Sequence, residues 1–195
     1  IKNNTCALFA GVVMNRTVNI IKFLVSTFFI LVLSACTAER IVLAANLENT
    51  NAIRIKPKAP EQVHEALKKL GLNEYQHRTV LREYIGVDPK RVQWCAAFVN
   101  AVLEESGIVS NNDHKYPLTA RAFLDWGQEV SSPQQGDLVI FPRGNQGWQG
   151  HVGFYLDTVV MNDIVYYRIL GGNQDNSVSI DLYPEDKALG IRRES

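Results

Sequence analysis

The chain has 195 residues, 46% of them hydrophobic, and its 20 basic side chains are balanced by 20 acidic ones. That is enough length and apolar content for one ordinary domain and a targeting segment. A formal net charge of zero excludes the global basic field that gathers nucleic acid, and neither a phosphate-cradling glycine loop nor a paired-cysteine motif supports a nucleotide or zinc reading.

Residues 1–13 precede Met14, the first methionine that makes sense as a start, and read as an upstream translation artefact. Arg16 and Lys22 then stand ahead of an apolar run over 23–33. Two cations before a run well short of the roughly twenty residues a spanning helix needs predict a signal peptide over 14–35. The run ends in Leu33, Ser34, Ala35 and Cys36, which resembles the bacterial lipobox. That resemblance implies that Cys36 is acylated, becomes the first mature residue and anchors the protein to the inner or outer membrane of a bacterial envelope. An ordinary signal peptide cut near Ala44 or Ala45 is the alternative. Residues 36–58, with Asn46, Asn49, Thr50 and Asn51 clustered, read as a tether, and 59–195 as the folded domain.

Pro60 opens a helix predicted over 60–70, with Val63, Ala66, Leu67 and Leu70 as its buried stripe and Glu61, Glu65, Lys68 and Lys69 outward. Asn73 caps a second over 74–84, whose Tyr75, Val80, Leu81 and Tyr84 pack on the first. His64 and His77 belong to these helices and have no ligand partner at helical spacing. A third helix covers 93–103, where Phe98, Val99, Val102 and Leu103 recur at helical spacing before Gly107 closes it. Cys95 falls in its first turn, where unpaired N–H groups and the positive end of the helix dipole favour a thiolate. With Cys6 upstream of the start and Cys36 carrying lipid, Cys95 is left alone in a compartment where thiols tend to pair. It is more easily explained by chemistry than by packing, although a small buried hydrophobe is the plainer alternative.

Thr119 caps a short helix predicted over 120–126. From there the period becomes that of strands, predicted over 137–141, 151–156, 164–170, 178–183 and 189–192. Helices followed by an uninterrupted series of strands predict an α+β fold, with the N-terminal helices, the cysteine helix among them, packed on an antiparallel sheet of about five strands.

Glycines flank His151 at the start of its strand, so that another chain can come close. An imidazole there could take a thiol proton and later protonate a leaving amine. Asn173, at the end of the next strand, is returned beside His151 by antiparallel pairing and is the candidate to orient the ring, with Gln174 and Asp175 as substitutes. A strand-end surface histidine is the alternative for His151.

Four blocks in order, WCAAFV at 94–99, GDLVIF at 136–141, GHVGFYL at 150–156 and GGNQ at 171–174, resemble the NlpC-type and CHAP-type cell-wall cysteine peptidases. These are compact papain-like enzymes that cut bonds in the peptide stems of peptidoglycan. The resemblance implies that Cys95 is the nucleophile, His151 the base and Asn173 the polar third member. NlpC-type enzymes often carry a histidine in that third position, whereas asparagine is closer to CHAP and papain usage. It further implies a turning role for Gly136 and Asp137, and the mechanism expected of such a site is a thioester that water resolves with His151 as base, with no metal and no cofactor. The Cys95 backbone N–H and the Gln93 side chain are candidates to hold the oxyanion, and Trp94, Arg143 and Trp148 to line the cleft. The bond cut is open between peptidase and amidase. A thiol acyltransferase with the same dyad and a cell-wall binding module with a dead site are the competing readings.

Overall fold

The computed structural model describes residues 55, 56 and 58–195. The upstream segment, the signal peptide, Cys36 and nearly all of the expected tether lie outside the described residues. Of the tether, Ile55 packs against the core, and the Lys56 N–H donates to Gln135 Oε1 at 3.0 Å.

Helix α1 spans Glu61–Lys68 and buries Val63 and Ala66. Two outward and inward assignments change with its length. The helix stops before Leu70, which is 49% exposed, while Glu65 is buried and keeps its carboxylate by pairing with Lys68. Helix α2 spans Arg78–Ile85 rather than starting at residue 74. Asn73 Oδ1 accepts the N–H groups of Tyr75 and Gln76, at 3.1 and 2.8 Å, which closes a turn instead of capping a helix. The later start leaves Tyr75 and Val80 exposed and turns Leu81 and Ile85 inward.

Helix α3, Cys95–Glu105, is buried over most of its surface, including Cys95, Phe98, Val99, Val102 and Leu103. It is the central helix of the layer. Its one buried amide, Asn100, is satisfied by the Asn111 N–H at 2.8 Å and the Pro117 carbonyl at 3.1 Å. The segment Ala120–Asp125 is a 3-10 helix that buries Phe123.

Six strands follow: β1 Gln128–Glu129, β2 Leu138–Pro142, β3 Gly150–Met161, β4 Ile164–Gln174, β5 Ser177–Pro184 and β6 Gly190–Arg193. They form one antiparallel sheet in the order β1-β6-β2-β3-β4-β5. The strand beyond the expected five is β1, whose two residues are too few to show a period. Asp137 locks the entry to β2 by accepting the Gln134 N–H at 2.6 Å and pairing with Arg193 on β6 at 2.7 Å.

Alternation sorts the sheet into two apolar faces. Leu138, Ile140, Val152, Phe154, Leu156, Leu170 and Val178 pack with the helices. Val139, Phe141, Tyr155, Tyr167, Ile169 and Ile191 form a second core, against which Tyr183 packs.

Near its end β4 breaks register: Gly171 pairs with Ser179, but Gln174 pairs with Ser177. Three steps on one strand oppose two on the other, the count of a β-bulge, and every side chain after it changes face.

Candidate active site

Helix α3 begins at Cys95 with Trp94 as its N-cap residue. Trp94 is fully buried, donates Nε1–H to Glu74 Oε2 at 3.1 Å, and meets Phe98 edge-on at 6.4 Å between ring centroids. It anchors the helix start and does not line the cleft expected of it. Strand β4 crosses this first turn at Gly172, where a Cβ would lie 2.6 Å from both Phe98 Cβ and Trp94 Cζ3. Only a glycine lets β4 come so near the cysteine helix.

The Cys95 thiol feels the backbone N–H of Val152, the residue that follows His151 on β3. Cys95 is 2% exposed, yet it forms part of the wall of a cleft of about 290 Å³. Gln93, Thr119, Arg143, Trp148 and Gly150 also line that cleft. Trp148 stands at its rim, 65% exposed.

His151 is fully buried and stacks on Tyr183, with ring centroids 5.2 Å apart and planes within 14°. Tyr183 stacks in turn on Phe141 at 4.6 Å. The imidazole is thus braced from the second core while the sulfur belongs to the first.

Nε2 of His151 lies 2.9 Å from Gln174 Oε1. Gln174 Nε2 donates to the Ser179 carbonyl at 2.8 Å and to Ser179 Oγ at 3.0 Å. With its nitrogen committed to a carbonyl, Gln174 must present oxygen to the ring, and this network assigns the proton to Nε2. Nδ1 is then the lone-pair nitrogen, and it is buried without a hydrogen-bond partner.

Asn173 makes no hydrogen bond to the imidazole. Its backbone is left-handed, with φ of 58°, its Nδ2–H donates to Gln93 Oε1 at 2.8 Å, and its carbonyl accepts from Arg143 Nη1 at 3.2 Å. The bulge accounts for the exchange: in an unbroken strand residue 173 would share the face of Gly171, but the extra residue puts Gln174 there. A Cβ at Gly171 would lie 2.9 Å from Gln174 Oε1 and 3.2 Å from His151 Nε2, so Gly171 clears the space for their contact. Because its oxygen is taken by Asn173, Gln93 is left with its amide N–H groups to offer.

Burial pushes the Cys95 thiol above its usual range, against the pull of Arg143 and the N–H groups of Val152, Ala96 and Cys95 itself. Burial, reinforced by Arg143 and opposed by Gln174, pulls His151 down to about 3. Both shifts favour an uncharged thiol and an uncharged imidazole. The helix terminus alone predicts a thiolate, but desolvation outweighs it here.

Residues 87–173 match the family model of the CHAP domain. This stretch is a CHAP domain. It takes in Cys95, His151 and Asn173 and stops one residue before Gln174. Around it, the helices and six-stranded antiparallel sheet have the α+β, papain-like arrangement of the CHAP fold. A CHAP domain points to a peptidoglycan hydrolase or amidase type of role, with peptidoglycan as substrate. No curated protein matches the chain.

Beyond Cys95, His151 and Asn173, the sheet brings Gln174, Ser179, Tyr183 and Phe141 to the site. Gln174 was within reach of the sequence as a substitute for Asn173. The aromatic brace carries no local signal, since its members come from separate strands.

Proposed function

We propose that this chain is a cysteine hydrolase that cleaves amide bonds in the peptide stems of peptidoglycan, with Cys95 as nucleophile and His151 as base. The observation that carries this reading is the buried, unpartnered Nδ1 of His151: Gln174 fixes the opposite ring nitrogen as donor and leaves Nδ1 a free lone pair, while Cys95 lines the cleft. An acceptor is costly to bury without a partner, and a thiol proton would supply one.

In the proposed reaction Nδ1 takes the Cys95 proton as sulfur bonds to the amide carbon. The resulting oxyanion is held by the Cys95 backbone N–H and by the Gln93 amide, whose orientation Asn173 sets. Nδ1–H then protonates the leaving amine as the carbon–nitrogen bond breaks, giving a thioester. Water, losing its proton to His151, attacks that thioester and releases the acid and the free thiol. Gln174 serves as the orienting group, and Asn173 acts on the oxyanion side.

The resemblance of residues 33–36 to a lipobox supports a mature protein lipid-anchored through Cys36 in the bacterial envelope. Palmitate labelling of the chain and of Cys36→Ala tests the anchor; unchanged label and membrane recovery in the mutant would remove it. For the chemistry, the protein and its Cys95→Ala variant are incubated with purified sacculi and the released fragments are weighed by mass spectrometry. Fragments from the parent alone support the hydrolase and name the bond, whereas equal release from both ends the catalytic reading.

A further inference from the structure

The cleft beside Cys95 contains a cation with hydrogen-bonding capacity to spare. Arg143 follows β2 into the cleft wall, where Nη1 donates to the Asn173 carbonyl at 3.2 Å and its charge acts on Tyr183. This hydrogen bond holds the guanidinium but consumes only part of its five donors. No carboxylate among the described residues comes within ion-pair distance of it, although Arg78, Arg91, Arg168, Arg192 and Arg193 each meet an Asp or Glu. Asp181, on β5, feels its charge from beyond that range. Arg82 and Arg121 also have no acidic partner among the described residues, but neither lines this cleft.

We propose that Arg143 selects substrates whose peptide carries a free carboxylate close to the scissile amide, and binds that carboxylate through its open N–H groups. The assignment rests on the hydrolase reading of the same cleft. A planar guanidinium already held by a carbonyl suits two parallel hydrogen bonds to a carboxylate, a geometry that lysine cannot copy. The bound anion has a second effect. Arg143 opposes positive charge on His151, and that charge must develop as the ring takes the thiol proton. A carboxylate on Arg143 offsets the opposition, so the acidic group assists the chemical step as well as binding.

The test uses a synthetic stem peptide and a series in which each free carboxylate in turn is converted to the carboxamide. With the parent protein, one amidation lowers kcat/KM by about tenfold or more, the usual scale for a charge-assisted hydrogen bond. The same amidation costs less than about twofold in Arg143→Gln, and Arg143→Lys falls between. Thermal melts of both variants establish that they are folded. Calorimetric binding of the same series to Cys95→Ala, with and without Arg143→Gln, gives a readout independent of turnover. If no peptide is cleaved but Cys95→Ala prefers the acid form and loses that preference with Arg143→Gln, the hydrolase reading fails while the Arg143 assignment stands. If cleavage proceeds and no amidation matters, or the preference survives Arg143→Gln, the assignment is overturned and the hydrolase reading is untouched.

Discussion

The Gln174 amide oxygen lies 2.9 Å from Nε2 of His151, and the nitrogen of the same amide is tied to Ser179. Gln174 is therefore the side chain that holds the ring, and Asn173 holds Gln93. Replacing Gln174 by Ala should lower kcat about 100-fold, because the ring loses both its tautomer and its orientation. Asn173→Ala should cost about tenfold, through a looser Gln93. Steady-state kinetics on a cleavable stem peptide separates the two, and a larger loss at Asn173 would return the orienting role to that residue.

Burial of an uncharged imidazole makes stability depend on pH. Once unfolded, His151 takes a proton below its ordinary value near 6.5, whereas in the fold it resists protonation down to about 3. Between those values the unfolded chain binds more protons, so stability falls as pH drops, by up to about 1.4 kcal/mol per unit. Urea unfolding at pH 7, 5.5 and 4.5 should show this slope. In His151→Gln it should be shallower across the same window. The Arg78–Asp88 pair does not interfere there, since Arg78 pulls Asp88 down to about 2 and the stability it confers is lost only as pH falls from 3.8 toward that value.

A desolvated thiol reacts slowly until it is forced to ionise. Alkylation of Cys95 by iodoacetamide should be slower at pH 7 than that of a free cysteine, and should climb at pH values above the ordinary thiol range. Mass spectrometry of the labelled peptide gives the rate. A plateau already reached at pH 5 would mean a resting thiolate–imidazolium pair instead.

Adjacent glycines on β4 should fail in different ways. An added Cβ at Gly171 lies 2.9 Å from Gln174 Oε1 and 3.2 Å from His151 Nε2, so Gly171→Ala should pry the orienting contact apart and cost activity first. At Gly172 the obstacles are Phe98 and Trp94 at 2.6 Å, both fully buried, so Gly172→Ala should cost about 1–3 kcal/mol of stability, the usual scale of overpacking. Paired melts and rates distinguish them. Equal losses of both kinds at both sites would contradict the separation.

The helix carrying Cys95, the strand opening at His151 and the antiparallel order after them were legible because each is written in local periodicity and turn residues. Gln174 was hidden by a different kind of information. Its face depends on one extra residue in β4 relative to β5, and a period of two counted along β4 alone points to Asn173. Similarly, Glu65 reads as an outward charge until Lys68 is seen to pair with it, and Tyr75 reads as helical until the Asn73 side chain takes the turn. The Phe141–Tyr183–His151 stack draws on β2, β5 and β3, so no stretch of sequence contains it.

The sulfur is supplied by one hydrophobic core and the imidazole is braced by the other, with the sheet between them. Turnover therefore doubles as a strain gauge for the whole interior. A methyl removed at Ile169, or the ring of Phe98 trimmed to a leucine, neither of which need touch substrate, would register first as misalignment across the sheet, well before the protein ceased to be folded.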